Sequence, residues 1–565
     1  MNKQAIFLAT CVALSLAGCA AVQDVGEVPD APADFFGTLE PFASEAVYFI
    51  VTDRFVDGDP ANNFPDQGGV ELGTFDRPIR VGDSAPANIG YLGGDFKGVL
   101  NNADYIADMG FTAIWLTPIV DNPDEAFTGG KPPGEGGSND YGKTGYHGYW
   151  GVNFFELDEH LPSDDLNYAD LTRQLREGHG LKTVLDVVCN HGSPSFSMPE
   201  DQPKYGELYD ADGQLLADHG NLYPQDLDPA NPLHAFYRNE RDLAELSDMD
   251  YDNPDVLDYF VAAHSKWIEE GAAAIRIDTI KHMPHAFWKA FSDRIRLRHP
   301  GLFMFAEAWS FDADFLAEYT YPENGGISVL DFPGREAMVS VFGEQEGAYS
   351  NLLDYLQLDS GVYQSPYELM TFYDNHHMTR NDADEQGFID ANNWLFTSRG
   401  IPVVYYGSEI GFRAGADQHA GNRDYFGQEN VELARSHPIR TALSRIAAIR
   451  KQSVALQRGL QVNLEFGQDT AAFYRVYQNG GISQTALVLL NKGDAVATFE
   501  VSKRLSNGLW RDAATGEEFS VSAESPGIAA AVPAHGVRVL LFDAPVNNAA
   551  FIAELSELQL GMARR

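Results

Sequence analysis

The stretch AAAIRIDTIKH (272–282) runs from small and apolar residues into an arginine–acid pair and then a basic turn. Continuous apolar character, rather than alternation, marks a parallel strand buried on both faces. Residues two apart in a strand share a face, so Arg276 and Asp278 project together from its carboxyl end. Outward from this segment the pattern recurs in VYFIV (47–51), TAIWL (112–116), TVLDVV (183–188), LFMFA (302–306), ISVLDF (327–332), LMTFY (369–373) and IPVVYY (401–406). Eight such runs separated by amphipathic stretches predict an α/β fold, a closed (β/α)8 TIM barrel over residues 45–455. One intervening helix is delimited by its own residues. Asn253 suits the N-cap, Pro254 the first helical position, and Leu257, Phe260, Val261 and Trp267 form one stripe before Gly271.

Residues 192–252, after the third strand, carry Pro, Gly, Asp and Tyr with little periodicity. Structureless loops of that length are uncommon, so they read as an inserted subdomain. Residues 120–146 read as a Gly/Pro-rich loop. After about residue 456 the segments TAAFYRVY (470–477), TALVLLN (485–491) and GVRVLLF (536–542) predict an antiparallel β-sandwich domain reaching to 545. Residues 546–565 read as an amphipathic helical tail.

The first residues form a secretory signal pattern: a positive end at Met1–Lys3, then an apolar run from Ile6 to Leu16 too short to cross a bilayer. Leu16-Ala17-Gly18-Cys19 resembles the lipobox of bacterial lipoproteins. An ordinary cleaved signal is the alternative, but the cysteine sits where the cleavage site belongs. The expectation is therefore a signal over 1–18, lipidation of Cys19, and export with anchoring to a membrane. Ala20 rather than Asp follows, which points to the outer membrane of a two-membrane bacterium. Residues 19–44, with Pro29, Pro32 and Pro41, read as a tether. Of three cysteines, Cys11 is discarded and Cys19 modified, leaving Cys189 without a disulfide partner.

A hydrophobic content of 44% over 565 residues excludes a disordered chain. Lys plus Arg number 39 against 82 acids, a formal charge of −43 that repels phosphate backbones, so no nucleic-acid partner is expected. Divalent cations, neutral substrates or a salty medium suit such a surface.

The polar residues at strand ends carry the chemistry. Arg276 and Asp278 end the fourth strand, Glu307 the fifth, Asp186 through His191 the third, and Asp374-Asn375-His376-His377 the seventh. One charged strand end would read as a structural cap; four ending in acid, amide or imidazole read as an active site. Carboxylates on neighbouring strands can lie about 5–5.5 Å apart, the separation retaining glycosidases use. Arg276 would keep Asp278 ionised, while a neighbouring anion and a dry site would raise the proton affinity of Glu307.

These segments, with TDRFVDGDPANN (52–63), GFTAIWLTP (110–118), YHGYW (146–150), DVVCNH (186–191), RIDTIKH (276–282), FAEAW (305–309), FYDNHH (372–377) and RGIPVVYYGSE (399–409), resemble the α-amylase superfamily over about residues 45–545. Within it they are closest to α-amylases and cyclodextrin glucanotransferases. The resemblance implies retaining cleavage of α-1,4 bonds in starch or maltooligosaccharide, with Asp278 as nucleophile and Glu307 as acid/base. Arg276 would support the nucleophile, His191 and His376 would bind the sugar, and Tyr149 would stack on it. Lys281 and Trp309, with His282 beside them, fall on the leaving side, and Asp417 and Arg423 on the opposite side. The resemblance also implies two calcium (Ca2+) sites. The first joins Asp57, Asp59, Asn62 and Asn63 to Gly93 and Asp95. The second joins Asn190 and the carbonyl of His282 to Glu245, where the family's LADLN-like segment reads LAELS (243–247).

One position departs. The family's third catalytic carboxylate follows the histidine of the seventh-strand motif, and here His377 stands there. Imidazole can bind hydroxyls but supplies no negative charge, and protonated it opposes a developing oxocarbenium. The alternatives are an impaired homologue that only binds glucan at the surface, an enzyme in which Asp382 or Asp384 compensates, or an altered sequence. Transglycosylation is the neighbouring reaction. Two features argue against cyclisation: the chain ends after one β domain, and Arg241 stands where cyclising enzymes place an aromatic.

Overall fold

The computed structural model describes residues 34–565, apart from 70–72, 80–86, 132–139, 344–346, 359–360, 414–421 and 563–565. The signal segment, Cys19 and Asp417 lie outside the described residues. Each apolar run becomes a short strand: β1 Val47–Ile50, β2 Ala113–Leu116, β3 Lys182–Val187, β4 Ala272–Ile277, β5 Phe303–Ala306, β6 Ser328–Val329, β7 Met370–Thr371 and β8 Ile401–Tyr405. They pair in the order β6-β5-β4-β3-β2-β1-β8-β7. A parallel bridge between Leu330 and Met370 joins the two end strands, and Asp331 N donates to Met370 O at 2.9 Å. The eight parallel strands thus form a TIM-like barrel, as expected. Beside that seam the Arg399 guanidinium meets Asp331 Oδ2 at 2.5 Å and donates to Leu356 O at 2.8 Å. Both charged residues are fully buried.

The helix Pro254–Glu269 begins and ends where its residues dictate. Asn253 Oδ1 accepts from Asp255 N at 3.0 Å, and Gly271 supplies a φ of 120° after the last turn. The excursion after β3 returns to its own base: His191–Pro194 pairs antiparallel with Leu246–Asp248, Asp248 opposite His191. A hairpin, Glu207–Tyr209 with Leu215–Asp218, fills part of the interval. This pairing holds the insertion at the carboxyl end of the barrel.

Residues 34–44 depart from the expected tether. Phe35 is buried, exchanges both backbone hydrogen bonds with Gln478 at 2.8 and 2.7 Å, and leads into a 3-10 turn at Pro41–Ser44. The proline count suggested a linker, but Phe35 and Phe42 are apolar anchors whose partners lie hundreds of residues away.

The C-terminal strands are β9 Leu460–Phe466, β10 Thr470–Asn479, β11 Ile482–Asn491, β12 Ala497–Val501, β13 Gly508–Asp512, β14 Glu518–Val521, β15 Ile528–Val532 and β16 Gly536–Phe542. Six form an antiparallel sheet, β9-β10-β11-β16-β13-β14, and β12 pairs with β15. In β10 and β11 both faces are buried, and alternate residues serve different cores. Ala471, Phe473, Ala486 and Val488 join the barrel's core, whereas Ala472, Tyr474, Leu487 and Leu489 join a second one. The helix Ala549–Met562 seats Phe551 and Leu555 on that second core, with Glu554 bridged to Arg504 at 2.6 Å.

Candidate active site

The strand ends converge on a guanidinium. Arg276 has no exposed surface, so its charge must be met by protein groups. In the β3–β4 register it stands opposite Asp186. Its Nη1 donates to Asp186 Oδ1 and to Asp278 Oδ1, each at 2.7 Å. Its Nη2 lies 2.7 Å from Glu307 Oε2, a contact of opposite charges outside hydrogen-bond geometry. Three carboxylates around one cation leave two formal negative charges in excess when all are ionised.

Burial opposes that state. It pushes Glu307 up to about 8, with Asp278 and Asp186 acting in the same direction and Arg276 against them. Burial also pushes Asp186 up to about 7, with Arg276 opposing. Glu307 therefore holds a proton at neutral pH. The imidazole of His191 is pushed down to about 4, by burial above all and against the pull of Asp278, and is neutral there.

Tyr149 connects the ends of the third and seventh strands. Its hydroxyl donates to Asp186 Oδ2 at 2.7 Å and meets His376 Nε2 at 2.8 Å. Its ring stacks on His376 with centroids 5.5 Å apart. Trp115 Nε1 also donates to Asp186 Oδ2, at 3.1 Å. Trp115 was not among the residues expected at the site, and Asp186 entered only as the start of the third strand's polar end, with no role of its own. The register gave a signal that strand-by-strand reading overlooks, since Asp186 and Arg276 are level across neighbouring parallel strands.

His377 stands against the acid. Its backbone N donates to Asn375 Oδ1 at 2.9 Å, and its Nε2 lies 3.6 Å from Glu307 Oε1. Arg423 holds this corner, donating from Nε to His376 O at 2.9 Å and approaching His377 Nδ1 at 3.5 Å. Trp309 meets the imidazole edge to face at 5.9 Å, and Lys281 Nζ donates to Trp309 O at 3.2 Å. His282 Nδ1 contacts Asp242 Oδ2 of the insertion at 3.1 Å. One ligand-capable atom from each of Asp278, Glu307 and His377 lies within 4.8 Å of the others.

Asp382 and Asp384, one of the alternatives for replacing the missing carboxylate, are engaged elsewhere. Asp384 caps the helix Glu385–Leu395, accepting from Gly387 N at 2.8 Å. The Asp382 side chain is 91% exposed and paired with Arg413. Asp374 is engaged in holding the loop, accepting from Asn381 N at 2.5 Å and Ser408 Oγ at 2.8 Å.

The first expected cation site fits a hard ion. Asp57 Oδ1, Asn62 Oδ1 and Asn63 Oδ1 are buried without hydrogen-bond partners. A Cβ on Gly93 would sit 2.5 Å from Asn63 Oδ1 and 3.0 Å from Asp57 Oδ2, so only glycine lets these oxygens crowd together. An all-oxygen set of this kind suits calcium. Asp95 organises the loop, its carboxylate accepting from Gly58 N, Asp59 N and Gly98 N at 3.1, 2.8 and 2.6 Å. Asp59 caps Ala61 and lies 3.5 Å from Lys97 Nζ. At the second set, Glu245 Oε2 is enclosed without a hydrogen-bond partner, while Asn190 O accepts from Met249 N at 2.9 Å.

The family model for the alpha amylase catalytic domain matches residues 49–445, from within β1 to the helix Pro438–Lys451. A cyclomaltodextrin glucanotransferase of Klebsiella oxytoca is 28% identical over 520 residues, covering 84% of this chain and 74% of its own. An α-amylase of Niallia circulans is 29% identical over 507 residues, covering 87% and 88%. A glucanotransferase of Thermoanaerobacterium thermosulfurigenes is 29% identical, and this chain spans 60% of its length. Among solved structures, a cyclomaltodextrin glucanotransferase with a three-domain ABC distribution superposes with a TM-score of 0.70 at 28% identity, covering 88% of this chain and 99% of its own. An α-amylase of Geobacillus thermoleovorans in complex with acarbose gives 0.66 at 25%, covering 88% and 98%. A match that runs from within β1 through β8 makes the chain a member of the α-amylase family.

Proposed function

We propose that the protein hydrolyses α-1,4-glucosidic bonds of starch and maltooligosaccharides with retention of configuration. The observation that carries this reading is the pair Asp278 and Glu307, joined through Arg276, with oxygens within 4.8 Å and Glu307 protonated at neutral pH. Inverting enzymes need about 6.5–9.5 Å to admit a water. Asp278 attacks the anomeric carbon while Glu307 gives its proton to the departing glycosidic oxygen, so one C–O bond forms as another breaks. Glu307, now a base, takes a proton from water, which displaces Asp278. Tyr149, His191 and His376 bind the sugar under attack, and Trp309 and Lys281 meet the departing side. Proton NMR of a maltooligosaccharide digest tests this reading. The α-anomer should appear first; an initial β-anomer would overturn retention.

Transglycosylation, in which a sugar replaces the water, is favoured by the several relatives named as glucanotransferases. A single β domain after the barrel does not speak against cyclisation, because a three-domain glucanotransferase is among the structural neighbours. Arg241 remains, donating from Nε to Ala244 O at 2.6 Å. Products longer than the substrate, in the same digest, mark this reaction.

Asp57, Asn62, Asn63 and Gly93 would hold calcium, with Asp59 and Asp95 framing the loop. Asn190, Glu245 and the carbonyl of His282 would hold a second ion. A bound ion would neutralise the buried oxygens and pin the loops that shape the cleft. Calcium at 100 times its dissociation constant adds about 2.7 kcal/mol. Adding it to chelated protein should raise Tm by about 2–5 °C, and an unchanged melting curve would remove the ion from this account. We also infer export and a lipid anchor at Cys19. Labelled fatty acid should be incorporated by the native chain and not by Cys19→Ser.

A further inference from the structure

We propose that Asp278, Glu307 and His377 form a binding site for a divalent transition-metal ion of the zinc type, and that a metal held there blocks glycosidic cleavage. The residue that removes the third carboxylate places an imidazole nitrogen where two carboxylates converge. His377 Nε2 and Glu307 Oε1 are 3.6 Å apart. Zinc bonds of about 2.0–2.2 Å in tetrahedral arrangement set ligand atoms about 3.3–3.5 Å apart. This pair therefore stands near coordinating separation, and Asp278 offers an oxygen within 4.8 Å of a ligand-capable atom on each of the two residues.

A second observation points to a missing partner. Glu307 is 4% exposed, and its Oε1, the oxygen aimed at His377, has no hydrogen-bond partner. Arg276 engages Asp278 Oδ1 and Glu307 Oε2, leaving one oxygen of each carboxylate for another cation. Charge agrees once the ion has displaced the Glu307 proton: with all three ionised, the carboxylates exceed the guanidinium by two, which one divalent ion balances. The His377 side chain is 18% exposed, so an ion can enter from the cleft. A nitrogen donor favours zinc, cobalt or copper over calcium, which takes oxygen sites. The ion would occupy the lone pair with which Asp278 attacks and displace the proton Glu307 delivers. The blocking rests on the catalytic reading above; the binding does not.

Asp158, Glu159 and His160 also gather within coordinating reach, so a difference in stoichiometry is the proper measure. Full-length calcium-saturated protein is titrated with Zn2+ by calorimetry and with Co2+ by visible absorption, beside His377→Asn and Glu307→Gln. Thermal melts confirm that each variant is folded. Wild type should bind one equivalent more than either variant and show a cobalt band that both lack. Zinc should slow wild-type cleavage of maltoheptaose at least tenfold. Equal stoichiometry and equal spectra in all three proteins would overturn the proposal, as would an active wild type indifferent to zinc. A wild type inactive on glucan yet one equivalent richer than the variants would overturn the hydrolase reading and leave the metal site standing.

Discussion

His377→Asp is expected to raise kcat on maltooligosaccharides by on the order of 10²–10³. The oxocarbenium-like transition state concentrates positive charge at the sugar ring. In this cleft a neutral or cationic imidazole, 3.6 Å from Glu307 and 3.5 Å from Arg423, occupies the corner where a carboxylate would oppose that charge. The cavity need not be rebuilt, because Asn375 Oδ1 already fixes the backbone at this position through the His377 N–H. The gain should appear in kcat more than in KM, since a preorganised charge acts on the transition state. A variant no faster than wild type would show that His377 is not what limits turnover. If wild type binds maltooligosaccharide without cleaving it and the variant gains activity, the native protein is a glucan-binding homologue.

Asp278→Asn should have the opposite and larger effect, a loss on the order of 10⁴–10⁶ in kcat. The amide is nearly isosteric, but it cannot form the covalent intermediate. Glu307→Gln should lose about 10²–10⁴ on natural substrates and recover much of the first step with a glycosyl fluoride, whose leaving group needs no proton. Accumulation of a glycosyl adduct on Asp278 in that variant, read by mass spectrometry, identifies the nucleophile. Loss of less than tenfold in Asp278→Asn would remove it from that role. The pH profile carries the same assignment. Burial raises Glu307 to about 8, so the acid form persists through neutrality and kcat/KM should fall as pH rises through that value. The sign for stability is parallel. A carboxyl bound more tightly to its proton in the fold stabilises the fold below its unfolded value near 4.3. That contribution is lost as pH climbs towards about 8. His377→Asp, by adding an anion beside Glu307, should move the alkaline limb upward.

The barrel was legible because buried parallel strands need apolar residues on both faces, and AAAIRI, VYFIV and IPVVYY show this without any partner in view. Arg276 and Asp278 were legible as a pair because the strand period puts them on one face. Asp186 was not singled out, since its place is set by the register between β3 and β4 rather than by its own strand. Arg423 and Trp309 meet His377 only through the loops that follow β8 and β5, and the resemblance, not periodicity, pointed to them. Residues 34–44 misled for a related reason: proline content is local, whereas the Phe35–Gln478 bridge is fixed by distant strands. The fate of Asp382 and Asp384 could not be read either, because a capping bond and a surface ion pair leave no periodic trace.

The division of labour in β10 and β11 has a consequence for how the chain can be taken apart. One face of each strand packs on the core of the barrel domain, through Phe473 against Trp394 of the helix Glu385–Leu395 and through Val488, while the other roofs the C-terminal core. A barrel cut after residue 455 would display a raw apolar wall, and the liberated C-terminal piece its mirror. Neither fragment is a self-sufficient module, so the two should melt in a single transition, and grafting this tail onto another barrel would require recutting both surfaces together.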